Sequence, residues 1–395
     1  MTAAGGIRTG LDQVLATCPP WLAGARVGLL TNHGGLDSAL RWGPARLRAA
    51  GGVRLERLFA PEHGLYGDIP DRWPVAAGTD PATGLPVVSL FGADREKSRS
   101  QAAMVDGLDW VLVDLPDIGS RFYTFVGTAL GLLAACAEAG VGMVVLDRPN
   151  PLGGTVEGQR AVAPAMRSLI GALPVPMRHG LTLGEMVRLG AGAAGLAHLV
   201  RVVPVEGWRR SMRWPDVGRP WVPTSPAANS YAMAQCYPGT CLFEGTNLSE
   251  GRGTTSPFVQ IGAPWLDAWR LAGELEGRLP AGVYARPALF RPEWDKHAGT
   301  VCQGVMLHTD PAVDIRALPA ALHLLAATLR MAGTAFPPAK AGEVYPWPWF
   351  DLLAGDDRLR TDLLAGRPVE EILADWDADL RDWPDVRATV SLYPD

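Results

Sequence analysis

The sequence is poor in the features that mark several large protein classes. Cysteine is scarce, with five in 395 residues: Cys18, Cys136, Cys236, Cys241 and Cys302. An odd, scattered set is not a disulfide framework. Cys236 and Cys241 lie five apart, but no second pair completes a zinc pattern. No apolar run reaches the roughly 20 residues of a membrane span, so no membrane association is expected. The segment Met1 to Arg8 has no apolar stretch of the export-signal kind, and a cytoplasmic setting is expected. A net charge of -5 leaves no basic footprint for nucleic acid. The first strand is not followed by GxGxxG, and GxxxxGK[ST] is absent, which argues against nucleotide sites. Without GxSxG a serine hydrolase is disfavoured. HxH, HExxH and CxxC are missing too, so no metal or other cofactor is expected, although His33, His63 and His179 could converge.

What is present is apolar runs that end in polar clusters. Val111 to Val113 runs into Asp114, Asp117 and Arg121. Met143 to Leu146 runs into Asp147, Arg148 and Asn150. Val27 to Leu30 leads to Asn32 and His33, and Leu55 to Ala60 leads to Glu62 and His63. In an open parallel sheet the carboxyl ends of strands line a crevice that binds ligands. Any one cluster is also readable as a capped strand end, and the Asp114, Asp117, Arg121 and Asp147, Arg148 sets as local ion pairs.

Length suggests about two domains, and 48% hydrophobic residues suffice for a large core. The periodicity predicts helices over 10–23, 39–50 and 124–139, and strands over 27–30, 55–60, 87–91, 111–113, 141–146 and 199–205. Strands that alternate with helices imply an α/β, mostly parallel, doubly wound sheet. Thr182 and Glu185 stand at capping-box spacing, which makes Glu185 a helix cap. Residues 66–84, rich in Pro, Gly and Asp, form a long loop that suits a substrate-contacting flap. The Trp- and Pro-rich stretch 209–229, which contains Asn229, marks a boundary between domains 1–222 and 223–395. The second domain is expected to be smaller and α+β, with helices over 265–279 and 318–331, two more over 361–380, and a strand over 304–308.

A carboxylic acid packed among apolar groups can hold its proton and act as a general acid. Glu62 is the first candidate. Glu244 and Glu250 flank Asn247 and precede Arg252, a set suited to sugar hydroxyls or a substrate carboxylate. Glu157 stands beside Glu244 in rank. Fourteen Trp suit sugar stacking as well as core filling.

Several long motifs occur in order: Pro61-Glu62-His63-Gly64; Asp117 to Thr124, with Tyr123; Leu146 to Gly154 followed by Val156-Glu157-Gly158; His179-Gly180-Leu181-Thr182; and Tyr237-Pro238-Gly239 through Glu244 to Thr254. With Lys296-His297, Cys302, Gly304 and Phe350-Asp351, they resemble the exo-β-N-acetylmuramidase family over nearly the whole chain. The resemblance implies a Rossmann-like first domain, a smaller second domain and an active site in the cleft between them. It implies release of N-acetylmuramic acid from the non-reducing end of peptidoglycan fragments, with Glu62 as catalytic acid and Glu157 or Glu244 as its partner. A muramyl saccharide or muropeptide would be the ligand of a monomer or homodimer. Arg121, Arg148 or Arg252 would hold the lactyl carboxylate, and the substrate's acetamido group offers its own assistance. Many members carry an export signal; none is expected here, which favours work on imported fragments. The rivals are a sugar-acid binding protein without turnover and a metal-dependent amino-sugar hydrolase.

Overall fold

The computed structural model describes residues 6–92, 100–331, 333–338 and 346–395. Residues 1–5, part of the segment read as lacking an export signal, lie outside these. Seven strands form the larger sheet: β1 Arg26–Thr31, β2 Arg54–Ala60, β3 Gly78–Thr79, β4 Pro86–Ser89, β5 Trp110–Asp114, β6 Gly142–Leu146 and β7 Val200–Val203. Their order is β3-β4-β2-β1-β5-β6-β7, and all pairings are parallel except β3 with β4. The chain builds outward from β1 on one side and returns to build outward from β5 on the other. This is the Rossmann-like order, with its switch between β1 and β5.

Side chains alternate across the strands. Val111 and Val113 face one core with Met143 and Val145, while Leu112, Val144 and Leu146 face the other. Helices α1 Gly10–Ala16 and α2 Gly43–Ala50 cover the second face. Helices α3 Phe125–Ala139 and α4 Leu183–Ala193 cover the first. Each fully buried aliphatic side chain contributes about 1.5–3 kcal/mol. Helix α1 stops well short of the predicted Ala23, because Pro19 and Pro20 turn the preceding residues extended. Helix α2 begins four residues late, with Pro44 in its first turn. The capping box of Thr182 and Glu185 forms as expected.

The second region contains α5 Trp214–Val217, α6 Tyr231–Thr240, α7 Ala268–Glu274, α8 Ala317–Arg330 and α9 Trp349–Ala354. Helices α10 Arg358–Leu364, α11 Val369–Asp379 and α12 Trp383–Ala388 follow. Strands β8 Gln260–Ala263, β9 Val283–Phe290 and β10 Cys302–Thr309 form an antiparallel sheet ordered β8-β10-β9. Only β10 among these strands is foreseen by the periodicity. Helix α6 is hidden in the sequence because Pro238-Gly239 reads as a breaker. Both residues sit in its last turn, and Gly239 is needed there: a Cβ would meet the Ala317 carbonyl of α8 at 2.4 Å. One apolar core runs from the α3 side of the large sheet through Leu242, Phe258 and Phe350, so the second region packs on that face.

Candidate active site

A cavity of about 1460 Å³ lies where the end of β2 and the first turns of α3 meet the second region. Glu62 forms part of its wall, two residues beyond β2, and is 7% exposed. Glu62 Oε1 accepts from the main-chain N–H of Arg72 at 3.2 Å, and Oε2 accepts from the Thr124 hydroxyl at 2.9 Å. Thr124 stands at the start of α3 and turns its hydroxyl to Glu62 rather than capping the helix, so strand, helix and flap all hold the same carboxyl. His63 beside it donates from Nδ1 to the Ile69 carbonyl at 2.9 Å.

An ion network lines the same cavity. Arg252 donates to Glu244 Oε1 at 2.7 Å and to Asp71 Oδ1 at 3.2 Å, and its Nε lies 3.6 Å from Glu250 Oε1. Its guanidinium also covers the Phe258 ring at 4.9 Å. Burial opposes its charge, but Glu244, Asp71 and Glu250 prevail and raise its pKa well above the ordinary value. Lys296 Nζ donates to Glu250 Oε2 at 2.8 Å and to the carbonyls of Phe243 and Leu248 at 2.8 and 2.9 Å. Trp349 Nε1 donates to Glu244 Oε2 at 3.3 Å. Burial pushes the Asp71 carboxyl up, but Arg252 and Arg72 outweigh it and hold it below the usual range.

Backbone strain concentrates here. Among the described residues, six other than glycine have positive φ: Leu40, His63, Arg72, Phe258, Asp295 and His297. All except Leu40 line the cavity. Each such conformation costs on the order of 1–3 kcal/mol and persists only where its surroundings over-determine it.

The model for the N-terminal part of exo-β-N-acetylmuramidase NamZ matches residues 27–232, and that for the C-terminal part matches residues 235–393. The chain belongs to the exo-β-N-acetylmuramidase NamZ family. A peptidoglycan β-N-acetylmuramidase NamZ from Bacillus subtilis is 34% identical over 388 residues, covering 98% of this chain and 91% of that protein. Two solved structures of DUF1343 family proteins from Bacteroides fragilis are also similar. One has a TM-score of 0.86 at 28% identity, covering 99% of this chain and 100% of its own. The other has 0.73 at 25% identity, covering 98% and 99%.

In this NamZ-family chain the cavity gathers Glu62, His63, Tyr123, Glu244, Asn247, Glu250 and Arg252 from the residues singled out in the sequence. The others lie elsewhere, because each finds a partner away from the cavity. Glu157 is closed off by Arg178 at 2.9 Å and Arg316 at 3.2 Å. Arg121 is buried and donates to the carbonyls of Gln159, Val175, Leu353 and Ala354 at 2.8–3.1 Å. Burial lowers its pKa to about 10. Arg148 chelates Asp114 at 2.6 and 2.9 Å. Burial raises the Asp114 pKa even against this pull. Asp147 accepts from Thr182, Tyr393 and Gly184, and burial pushes its pKa up to about 6. Asn150 bridges the Leu181 carbonyl and the Leu152 amide. Asn32 bridges the Thr224 carbonyl and the Gly34 amide. His179 pairs with Asp117 at 3.0 Å, away from His33 and His63, and Asn229 donates to the Thr255 carbonyl.

Of the four strand ends read as lining the crevice, that of β2 brings its polar residues, Glu62 and His63, to the large cavity. At the β1/β5 switch there is only a recess of about 60 Å³, lined by Gly34, Pro116, Asp117 and Arg148. Asp71, Arg72, Thr124, Asp295, Lys296 and Trp349 complete the large cavity. Sequence reasoning named none of them individually as a site residue, although Asp71 and Arg72 fall in the flap 66–84. The placement of the flap directly after Glu62 was the available signal for Asp71 and Arg72.

Proposed function

We propose that the chain is an exo-acting glycoside hydrolase that releases N-acetylmuramic acid from the non-reducing end of peptidoglycan fragments, with Glu62 as general acid. Membership of the NamZ family supports the reaction class. The observation that carries the acid role is the setting of Glu62: a buried carboxyl in the cavity wall, held by one amide and one hydroxyl. The Arg72 amide can only donate and fixes Oε1. The Thr124 hydroxyl can donate or accept, so it accommodates both the ionised and the protonated carboxyl. A general acid must pass through both forms in each turnover.

Glycoside hydrolysis usually needs a second carboxylate. Glu244 is the better candidate for that place, since it lines the cavity and Glu157 does not. Arg252 and Trp349 engage both Glu244 oxygens. This favours a supporting role for Glu244 and assistance by the acetamido oxygen of the substrate itself. The flap and the second region both contribute walls to the cavity, which suits a pocket for a chain end. Among the described residues no helix is long and apolar enough to cross a membrane. The five unpaired cysteines fit a reducing compartment, and we place the reaction in the cytoplasm.

The test is release of nitrophenol from 4-nitrophenyl β-N-acetylmuramide beside the matching N-acetylglucosaminide, with and without EDTA. Release from the muramide alone, unchanged by EDTA, is expected. Binding of muramic acid without release from it or from a muramyl disaccharide would sink the reading.

A further inference from the structure

We infer that Arg72 is the residue that selects the acidic sugar, its guanidinium taking the lactyl carboxylate of N-acetylmuramic acid. The inference rests on the muramidase reading and adds the specificity residue to it. Among the described residues, four cationic side chains line the cavity: Arg72, Arg167, Arg252 and Lys296. Two of them are already engaged. Lys296 directs all three ammonium donors at Glu250 and two carbonyls. Arg252 is held by Glu244, Asp71 and Glu250. Neither has a fork left for a new carboxylate.

Arg72 differs. Its side chain is 63% exposed, and only Nε is paired, with Asp71 at 3.1 Å. Both terminal nitrogens remain available, the geometry that receives a carboxylate bidentately. Position completes the argument. The Arg72 main-chain N–H already holds Glu62 Oε1, so the guanidinium springs from the residue that grips the proposed acid. On N-acetylmuramic acid the lactyl group and the scissile bond belong to one ring. The carboxylate anchor must therefore stand within one sugar ring of the acid. Arg167 is exposed too, but it belongs to the segment whose Leu169 packs on Gly127, further along α3 from the acid than Thr124. The left-handed backbone of Arg72, with φ of 64°, marks a residue held in place by its surroundings.

The test compares kcat/KM on 4-nitrophenyl β-N-acetylmuramide and on its lactyl methyl ester for the wild type, Arg72→Asn and Arg167→Gln. Asn tolerates positive φ, so the main-chain contact to Glu62 survives. The wild type should prefer the acid by roughly 10- to 100-fold, the range of a charge-assisted contact. In Arg72→Asn the ratio should fall to about one, while in Arg167→Gln it should persist. A ratio that persists in Arg72→Asn, or an indifferent wild type, overturns the inference. If no wild-type turnover occurs on either compound, the muramidase reading is what fails. The same acid-to-ester ratio is then read by calorimetric binding of N-acetylmuramic acid and its methyl ester, with the same two outcomes deciding.

Discussion

Arg252 pairs directly with Asp71 of the flap, with Nη1 3.2 Å from Oδ1. The two residues are 181 positions apart, and their contact ties the first domain's flap to the second domain's acidic cluster.

Removal of that tie leaves buried carboxylates without their counter-charge. Breaking a buried ion network by deleting one partner typically costs about 3–5 kcal/mol. Arg252→Met should therefore lower the urea midpoint markedly, and activity should fall with it. Arg252→Lys should recover only part, because an ammonium cannot serve Glu244, Asp71 and Glu250 with one planar fork. A midpoint unchanged in Arg252→Met would count against the network.

Glu62→Gln should depress kcat while the protein keeps its folded stability. General acid catalysis contributes about 10²–10⁴-fold. The loss should be larger on a muramyl disaccharide than on the nitrophenyl muramide, since nitrophenol leaves with little protonation. Equal losses on the two substrates would contradict the acid role. Kinetics on both, with circular dichroism as the folding control, settle the matter.

His33 supplies a pH-dependent element near the flap. Burial is the main cause that holds its pKa below the ordinary 6.5, with His63 adding to it, against the Pro223 backbone. The folded state therefore binds fewer protons here than the unfolded state. Stability from this site is complete above about 6.5 and declines as pH falls below it. His33→Gln should flatten the stability curve over that acid window while leaving it little changed near pH 8. Thermal midpoints taken from pH 5 to 8 on both proteins measure this difference.

Tyr393 fastens the end of the chain to the first domain. Its hydroxyl donates to Asp147 Oδ2 at 2.5 Å and accepts from the Val205 amide at 2.9 Å. Tyr393→Phe removes one of several donors to the buried Asp147 carboxyl and leaves the Val205 amide without its partner, at a cost of about 1–3 kcal/mol. A lower urea midpoint with kcat on the muramide unchanged is expected. A loss of kcat in a fully folded variant would place Asp147 back in the catalytic apparatus.

Six strands of the large sheet were readable because their causes are local or repeat along the chain, whereas β3 lies in the stretch read as the 66–84 loop. Stretches such as Val111 to Val113 are continuous apolar runs, as strands buried on both faces must be. Thr182 and Glu185 cap α4 through groups three residues apart. The small sheet was not readable in the same way. Strand β9 holds Pro287 and alternates only loosely between buried and exposed positions, and β8 is four residues long. Pro238 and Gly239 masked α6 because their cost is small in a last turn and large elsewhere.

By itself the sequence determined the α/β order, the sheet edge that carries polar residues, the flap after Glu62 and the family motifs. Only the tertiary structure decided which carboxylates meet the cavity. Asp114, Asp147 and Glu157 resemble Glu62 in their local sequence, yet each is neutralised or satisfied by groups distant in the chain: Arg148, Tyr393 and Arg316. The physical reason is that hydrophobic periodicity and capping act over a few residues, whereas the state of a charge depends on its nearest partners in space. Those partners are brought together only when the whole chain has folded.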